Sequence, residues 1–398
     1  MIHSVMRNML IGIAVVCVAV PGAFAATSVV TLLVEDDGTV NANTIGEFTG
    51  GDSDPNSLAR LSTGSYVYFE ADDAANDADA IIMFDPLGVG AARFSVLASE
   101  ASLSATDAAL ATPENMQCDD ICVDPDTDDI YALMQNSAVN PTEVFVVRIP
   151  SLGFGTDTFG PVELAAANAV MGNRNGAGSI TVDTLPSPNE LVILHDSQVS
   201  GNDTTTNVLY TRQVTANPAS ANTVVATYSQ LGFGTTPPWQ AGDLVGFADL
   251  AVLGTGDYVL VNPFGDTTPG GGAGSTDGDI VRWNVGTASA ELWREGDLVA
   301  SRSPIVSLDD GGIAMWRVDD DDDIIRFDGN GNVVHTIAVS SELTAVVSNS
   351  PSGLDEIGNG FATDGDLTFA IFHNLDNESI IEIVDTIAPI ELSTFGTE

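Results

Sequence analysis

The stretch Pro304-Ile-Val-Ser-Leu-Asp-Asp-Gly-Gly-Ile-Ala-Met-Trp-Arg317, continued through Ile324-Ile-Arg-Phe-Asp328 to Val333-Val-His-Thr-Ile337, decides the fold. It holds four short apolar runs, 304–308, 313–317, 324–328 and 333–337, each followed by a polar, Gly- or Asp-rich break. Leu308-Asp-Asp-Gly-Gly-Ile313 supplies glycine where a tight hairpin needs positive φ. Runs of four to six apolar and β-branched residues between such breaks read as strands, and four in series read as an antiparallel meander.

The central pair of that meander recurs along the chain. Its first members are Tyr66–Glu70, Ile130–Met134, Leu191–His195, Asp257–Val261, Ile313–Arg317 and Leu367–Ile371, whose starts lie 64, 61, 66, 56 and 54 residues apart. The second members are Ala80–Asp85, Val144–Arg148, Val208–Arg212, Ile280–Asn284, Ile324–Asp328 and Ile380–Val384. Shorter runs precede the pair, at Ser57–Arg60, Ser179–Val182, Phe247–Leu250 and Pro304–Leu308, and others follow it, at Arg93–Leu97, Thr223–Thr227 and Val333–Ile337. A four-stranded unit repeated six times at this spacing predicts an all-β fold, a six-bladed β-propeller. A seven-bladed ring or a pair of β-sandwiches is the competing arrangement. Thr27–Val34 reads as an additional strand, and Val29–Val34 is expected to complete the blade built around Leu367–Val384. Helical periodicity is nearly absent, with a short helix expected in Ala101–Ala111.

The repeated grammar, an acidic or Gly-containing turn, an apolar strand, then a strand of the form of Ile324-Ile-Arg-Phe-Asp328, resembles six-bladed propellers of the NHL, SMP-30 and TolB types over most of residues 50–385. The resemblance is one of repeat grammar. Some enzymes that resemble this fold are calcium-dependent lactonases and phosphatases, so the resemblance implies a channel in which acids and amides could hold Ca²⁺.

The chain opens with Arg7, an apolar run from Met9 to Val20, the break Pro21-Gly22 and Ala23-Phe24-Ala25. That pattern is a secretory signal peptide over residues 1–25, with Ala26 as the mature start and a propeller domain over 26–385. The apolar run is short for a membrane span, and none is expected in the mature chain. The expected location is extracellular, cell-surface or periplasmic. The tail 386–398 contains Pro389-Ile-Glu-Leu-Ser-Thr-Phe395, which resembles the linker that precedes anchoring regions in some secreted bacterial proteins. Cys118 and Cys122 remain after cleavage, and an oxidising compartment points to a disulfide between them. The rival reading is a metal or redox pair, for which the spacing is wrong.

There are 56 acidic residues against 11 basic ones, all arginine, giving a formal net charge of −45. Such self-repulsion calls for screening by salt or divalent cations and argues against nucleic acid or anionic membranes as partners. Absence of lysine excludes Schiff-base chemistry and lysine-dependent phosphate loops. The histidines form no zinc motif, and no G-x-S-x-G is present. The chain is nonetheless 44% hydrophobic, enough to bury a core.

Two groups of residues are candidate sites. Asp124, Asp126 and Asp128 have the spacing of the first ligands of a calcium loop, but Asp129 replaces its glycine and Gln135 its closing glutamate. Asp320 and Asp322, within the acidic run 319–323, offer further carboxylates. Solvated turn tips explain the same acids equally. If the ring closes, a channel mouth at the starts of the innermost strands is expected to gather Asn56, Arg60, Glu114, Asn115, Asp249, Arg302 and Asp355. Three functions follow as expectations. One is a non-catalytic binding or scaffold module for a protein, glycan or small molecule, with Ca²⁺ as the conceivable cofactor. Another is a calcium-dependent hydrolase using Asp249 or Asp355 as base. The last is salt adaptation alone.

Overall fold

A computed structural model describes residues 28–35, 57–70, 80–88, 93–106, 116–136, 142–171, 173–174, 178–195, 207–227, 230–231, 249–262, 279–294, 304–317, 323–339, 360–373 and 379–386. The strands group into six small antiparallel sheets, which are the blades of a propeller. Blade 1 contains β2 (Leu58–Arg60), β3 (Tyr66–Glu70), β4 (Ala80–Phe84) and β5 (Phe94–Ser99). Blade 2 contains β6 (Met116–Val123), β7 (Ile130–Asn136) and β8 (Thr142–Ile149), with the short β9 (Glu163–Ala166) and β10 (Asn173–Arg174) both paired to β8. Blade 3 is β11 (Gly178–Asp183), β12 (Glu190–His195), β13 (Asn207–Gln213) and β14 (Thr223–Thr227). Blade 4 is β15 (Asp249–Val252), β16 (Tyr258–Asn262), β17 (Asp279–Asn284) and β18 (Ser289–Arg294). Blade 5 is β19 (Ile305–Ser307), β20 (Ile313–Arg317), β21 (Asp323–Phe327) and β22 (Val333–Ala338).

Blade 6 has an unusual origin. It takes β23 (Phe361–Thr363), β24 (Thr368–His373) and β25 (Ser379–Asp385) from the end of the chain, and its fourth strand, β1 (Ser28–Glu35), from the beginning. Ser28 pairs with Asp385 and Glu35 with Ser379, so the two ends of the fold are zipped along seven residue pairs. The strand expected at Val29–Val34 therefore does complete the last blade. The expected helix is present as α1 (Glu100–Thr106).

The innermost strands β2, β6, β11, β15, β19 and β23 touch in sequence, and β23 returns to β2. The core follows the ring. It is divided into six hydrophobic layers, each sandwiched between two adjacent blades. Tyr66 and Tyr68 of β3 face blade 6, whereas Val67 and Phe69 of the same strand face blade 2. Strand alternation thus sends successive residues into different layers. Because both faces of a blade are covered, its middle strands read as unbroken apolar runs; β4 is buried along its whole length. The first and last blades share a layer containing Leu58, Tyr66, Ala370, Phe372 and Val34, which closes the circle.

The turns joining each innermost strand to the next form a second ring of contacts. Gly254 N–H donates to the Gly311 carbonyl, and Asp309 N–H to that of Gly365. Asn189 Nδ2 donates to Asp124, Ser62 to Asp128, and Arg60 meets Asp364 at 3.5 Å. Gly311, at φ +85°, lies so near Gly254 that a Cβ on Gly254 would stand 2.7 Å from its Cα. A side chain there would push the two blades apart.

Three arginines of the third strands grip the acidic turn of their own blade. Arg148 holds Asp129 at 2.6 Å, Arg282 holds Asp257 at 2.5 Å and Arg326 holds Asp310 at 3.2 Å. The arginine is what recurs in these strands (Arg148-Ile-Pro150, Arg282-Trp-Asn284, Arg326-Phe-Asp328), and it reaches back across its hairpin to a turn aspartate that already accepts a backbone N–H. Burial works to raise the Asp257 carboxyl, but Arg282, the Val285 N–H and Thr255 outweigh it and hold that carboxyl below the usual range.

Candidate functional site

The six innermost strands surround an axial cavity of about 800 Å³. All six run the same way along it, so their first residues line one end and their last residues the other. The walls between are mainly small or apolar, including Ala59, Ile121, Val123, Thr181, Val306 and Ala362.

The end at which the strands begin carries a row of polar residues across four blades. Immediately before the first apolar residue of β2, β11 and β15, and at the matching point of β6, stand Ser57, Ser179, Asp249 and Asp120, all buried. Ser57 donates toward the Cys118 sulfur at 3.8 Å. Ser179 Oγ lies 2.7 Å from Asp120 Oδ2 and 2.7 Å from Asp249 Oδ1. Asp120 also accepts the N–H groups of Ile121 and Ile180, each at 2.8 Å. Asp249 accepts those of Leu250 and Ile305, each at 2.7 Å. Every one of the four carboxylate oxygens therefore has a backbone donor, and in each aspartate one of those donors comes from the next blade. The two side chains are 7% and 5% exposed. Burial drives the Asp249 carboxyl up to about 6, and burial reinforced by the charge of Asp249 raises that of Asp120 well above its ordinary value.

At the other end stand Arg60, Asp128, Asp183 and Asp364. Arg60 is the last residue of β2, so it lies at the opposite end of the channel from Asp249, and the mouth expected from the sequence does not bring the two together. Direction explains the discrepancy: in a three-residue strand, first and last positions look alike in sequence but face opposite mouths. Asn56, Glu114, Asn115, Arg302 and Asp355 lie outside the described residues, as do Asp320 and Asp322.

The calcium-like triplet occupies the turn between β6 and β7. Asp124 accepts the Asp126 N–H at 3.0 Å and Asn189 Nδ2 at 2.9 Å; Asp126 also reaches Asn189, at 3.1 Å. Asp128, at φ +61°, turns elsewhere: it accepts Ser62 N–H at 2.9 Å, Ser62 Oγ at 2.6 Å and Gly155 N–H at 2.7 Å. The spacing that suggested convergence on an ion instead directs Asp124 toward blade 3 and Asp128 toward blade 1. Among the described residues, no three His, Cys, Asp or Glu side chains are arranged to hold a metal ion.

Cys118 and Cys122 are not joined. Both belong to β6, which was expected to be a disulfide-bearing loop. A bulge between Cys118 and Asp120 adds one residue, so the sulfurs point to opposite faces. Cys118 packs in the layer shared with blade 1 and Cys122 in that shared with blade 3. Four residues of extended strand separate their Cα atoms by more than a disulfide spans. Burial raises both thiols well above the usual value.

Asp120 and Ser179 were not among the residues singled out from the sequence. The signal was available: a polar residue directly before an apolar strand start at Ser57, Ser179 and Asp249. Asp120 could join that set only once Met116–Val123 was recognised as the innermost strand of blade 2.

No family model matches the chain, and no curated protein matches its sequence. Solved structures do resemble it. A Bacteroides thetaiotaomicron protein of unknown function superposes with a TM-score of 0.53 at 9% identity, over 90% of this chain and 76% of that one. A mutant α-L-arabinofuranosidase from Fusarium graminearum, in complex with an iminosugar inhibitor, gives 0.50 at 11% identity, over 83% and 93%. The soluble aldose sugar dehydrogenase of Escherichia coli gives 0.48 at 10% identity, over 90% and 100%. At such identities the likeness is one of fold, and the propeller hosts many chemistries.

Proposed function

We propose that this chain is an exported binding or scaffold propeller, acting outside the cytoplasm on a cationic partner. The observation that carries the reading is the use made of the channel's buried acids. Asp120 and Asp249 each give both carboxylate oxygens to backbone N–H groups, and each links its blade to the next. A general base needs a lone pair aimed at substrate, and these are aimed at the frame. The net charge of −45 then favours a partner of opposite sign and accelerates its encounter. The signal-like residues 1–25 support export.

The test uses the chain from Ala26 onward. Fluorescent cationic, neutral and anionic peptides of matched length are titrated with it at several salt concentrations. Saturable binding of the cationic peptide, weakening with salt, is expected. Turnover of an ester, lactone or glycoside that disappears in Asp249→Asn would overturn the reading in favour of a channel hydrolase.

A further inference from the structure

The chain Asp120–Ser179–Asp249 poses a counting problem. Two oxygens from different carboxyl groups each lie 2.7 Å from the Ser179 hydroxyl oxygen. That hydroxyl has one hydrogen and can donate it to only one of them. The backbone N–H groups of Ile121, Ile180, Leu250 and Ile305 already point at the carboxyl oxygens and not at the hydroxyl. The second short contact thus needs another hydrogen, and a carboxyl proton is the available source. One aspartic acid donates to Ser179, and Ser179 donates to the other, ionised aspartate.

The surroundings agree with a retained proton. Cys118, Asp119 and Cys122 are the titratable neighbours on β6, and Asp124 lies farther along the same strand end. On β11 the hydroxyl of Ser179 faces the pair, with Asp183 at the far end of the strand; β15 brings Asp249 itself, and β19 (Ile305–Ser307) brings no ionisable side chain. Among the described residues, no arginine or histidine acts on either carboxyl. Two full negative charges would face each other across one hydroxyl in a buried wall, with no compensating cation among the described residues, an arrangement that burial and like charge both oppose.

We propose that Asp120, Ser179 and Asp249 form a one-proton clamp joining blades 2, 3 and 4, closed while the proton is held and loosened when it leaves, so that the ring reads external pH. In the unfolded chain both carboxyls are ionised above about pH 4. Folding therefore takes up a proton over the interval in which the folded pair keeps it. The sign follows: the clamp contributes fully at or below about pH 4, and its contribution declines as pH rises through the folded pair's titration. The decline therefore begins at about pH 4 and ends where the folded pair has released its proton, which the raised carboxyls place at about pH 6 or above.

The experiment has two readouts on the chain from Ala26 onward. Infrared spectroscopy of the folded protein near neutral pH detects a protonated carboxylic acid by its carbonyl stretch, well apart from ionised carboxylates. Wild type is expected to show this band. Asp249→Asn is expected to lose it, because its amide can donate to Ser179 in the proton's place, at a pH-independent cost from opposing the Leu250 N–H, and Asp120 is then free to ionise. Urea unfolding across the pH range, in high salt to mute general repulsion, gives the second readout. The wild-type folding constant is expected to fall by up to about tenfold per pH unit more steeply than that of Asp249→Asn. Absence of the band in the wild type, or identical pH slopes in the two proteins, overturns the proposal. Should Asp249→Asn fail to fold, Asp120→Asn replaces it, and the wild-type band decides by itself.

Discussion

Replacing Asp128 separates two meanings of an acidic turn. In the structure its carboxylate accepts three protein hydrogen bonds, two from Ser62 of blade 1 and one from the Gly155 N–H. Asparagine keeps the size and tolerates φ +61°, but its amide nitrogen can occupy only one oxygen position and there opposes an N–H. One charge-assisted bond is lost and its donor stranded, a cost of about 2 kcal/mol. Alanine strands all three donors and sits poorly in the left-handed region, for about 4 kcal/mol. The assay is urea unfolding of wild type, Asp128→Asn and Asp128→Ala, each in EDTA and in millimolar CaCl₂. The expected losses follow the order Asn then Ala and are the same in both buffers. Losses that vanish in EDTA and appear only with Ca²⁺ would refute the reasoning and restore Asp128 as an ion ligand.

Gly254→Ala drives a methyl into Gly311 and is expected to cost about 2 kcal/mol, whereas Gly286→Ala, whose nearest neighbour would be 3.5 Å away, changes urea stability little. Arg282→Lys removes the two-nitrogen grip on Asp257 and lowers stability by about 1 kcal/mol. Because the Asp257 carboxyl is held below its ordinary value, its contribution is present above about pH 4 and lost as pH falls below that. Acid-unfolding curves should therefore shift to higher pH in Arg282→Lys. The chain from Ala26 should show no thiol reactive toward Ellman's reagent when native and two when unfolded without reductant; zero in both states would mean a disulfide.

Much of the ring was readable because its middle strands are covered on both sides. Ile313–Arg317 and Ile324–Asp328 are apolar enough, and their turns rich enough in glycine and aspartate, that each hairpin announces itself. The innermost strands are harder. β23 has three residues, and β6 carries Cys118, Asp119, Asp120 and Cys122, which resemble a polar loop. Two aspartates can sit in a strand there because N–H groups of β6 itself and of the next blade satisfy Asp120, while Gln135 donates to Asp119 at 3.0 Å. The donors from Ile180 and Gln135 are distant in sequence and invisible to periodicity. The calcium-like triplet diverges for a related reason. Spacing reports which side chains are near along the chain, but the positive φ of Asp128 decides where its carboxylate points.

The pairing of β1 with β25 has a consequence for biogenesis. The first strand and the last are partners, so the circle cannot be finished until nearly the whole polypeptide has emerged. Until then β1 has no partner strand to pair with, and Leu58, Tyr66 and Tyr68 lack the layer they share with blade 6. A chain whose final contact is also its most distant one folds late and remains threadable for longer. For a chain exported as proposed above, that delay would keep the polypeptide extended until it has crossed.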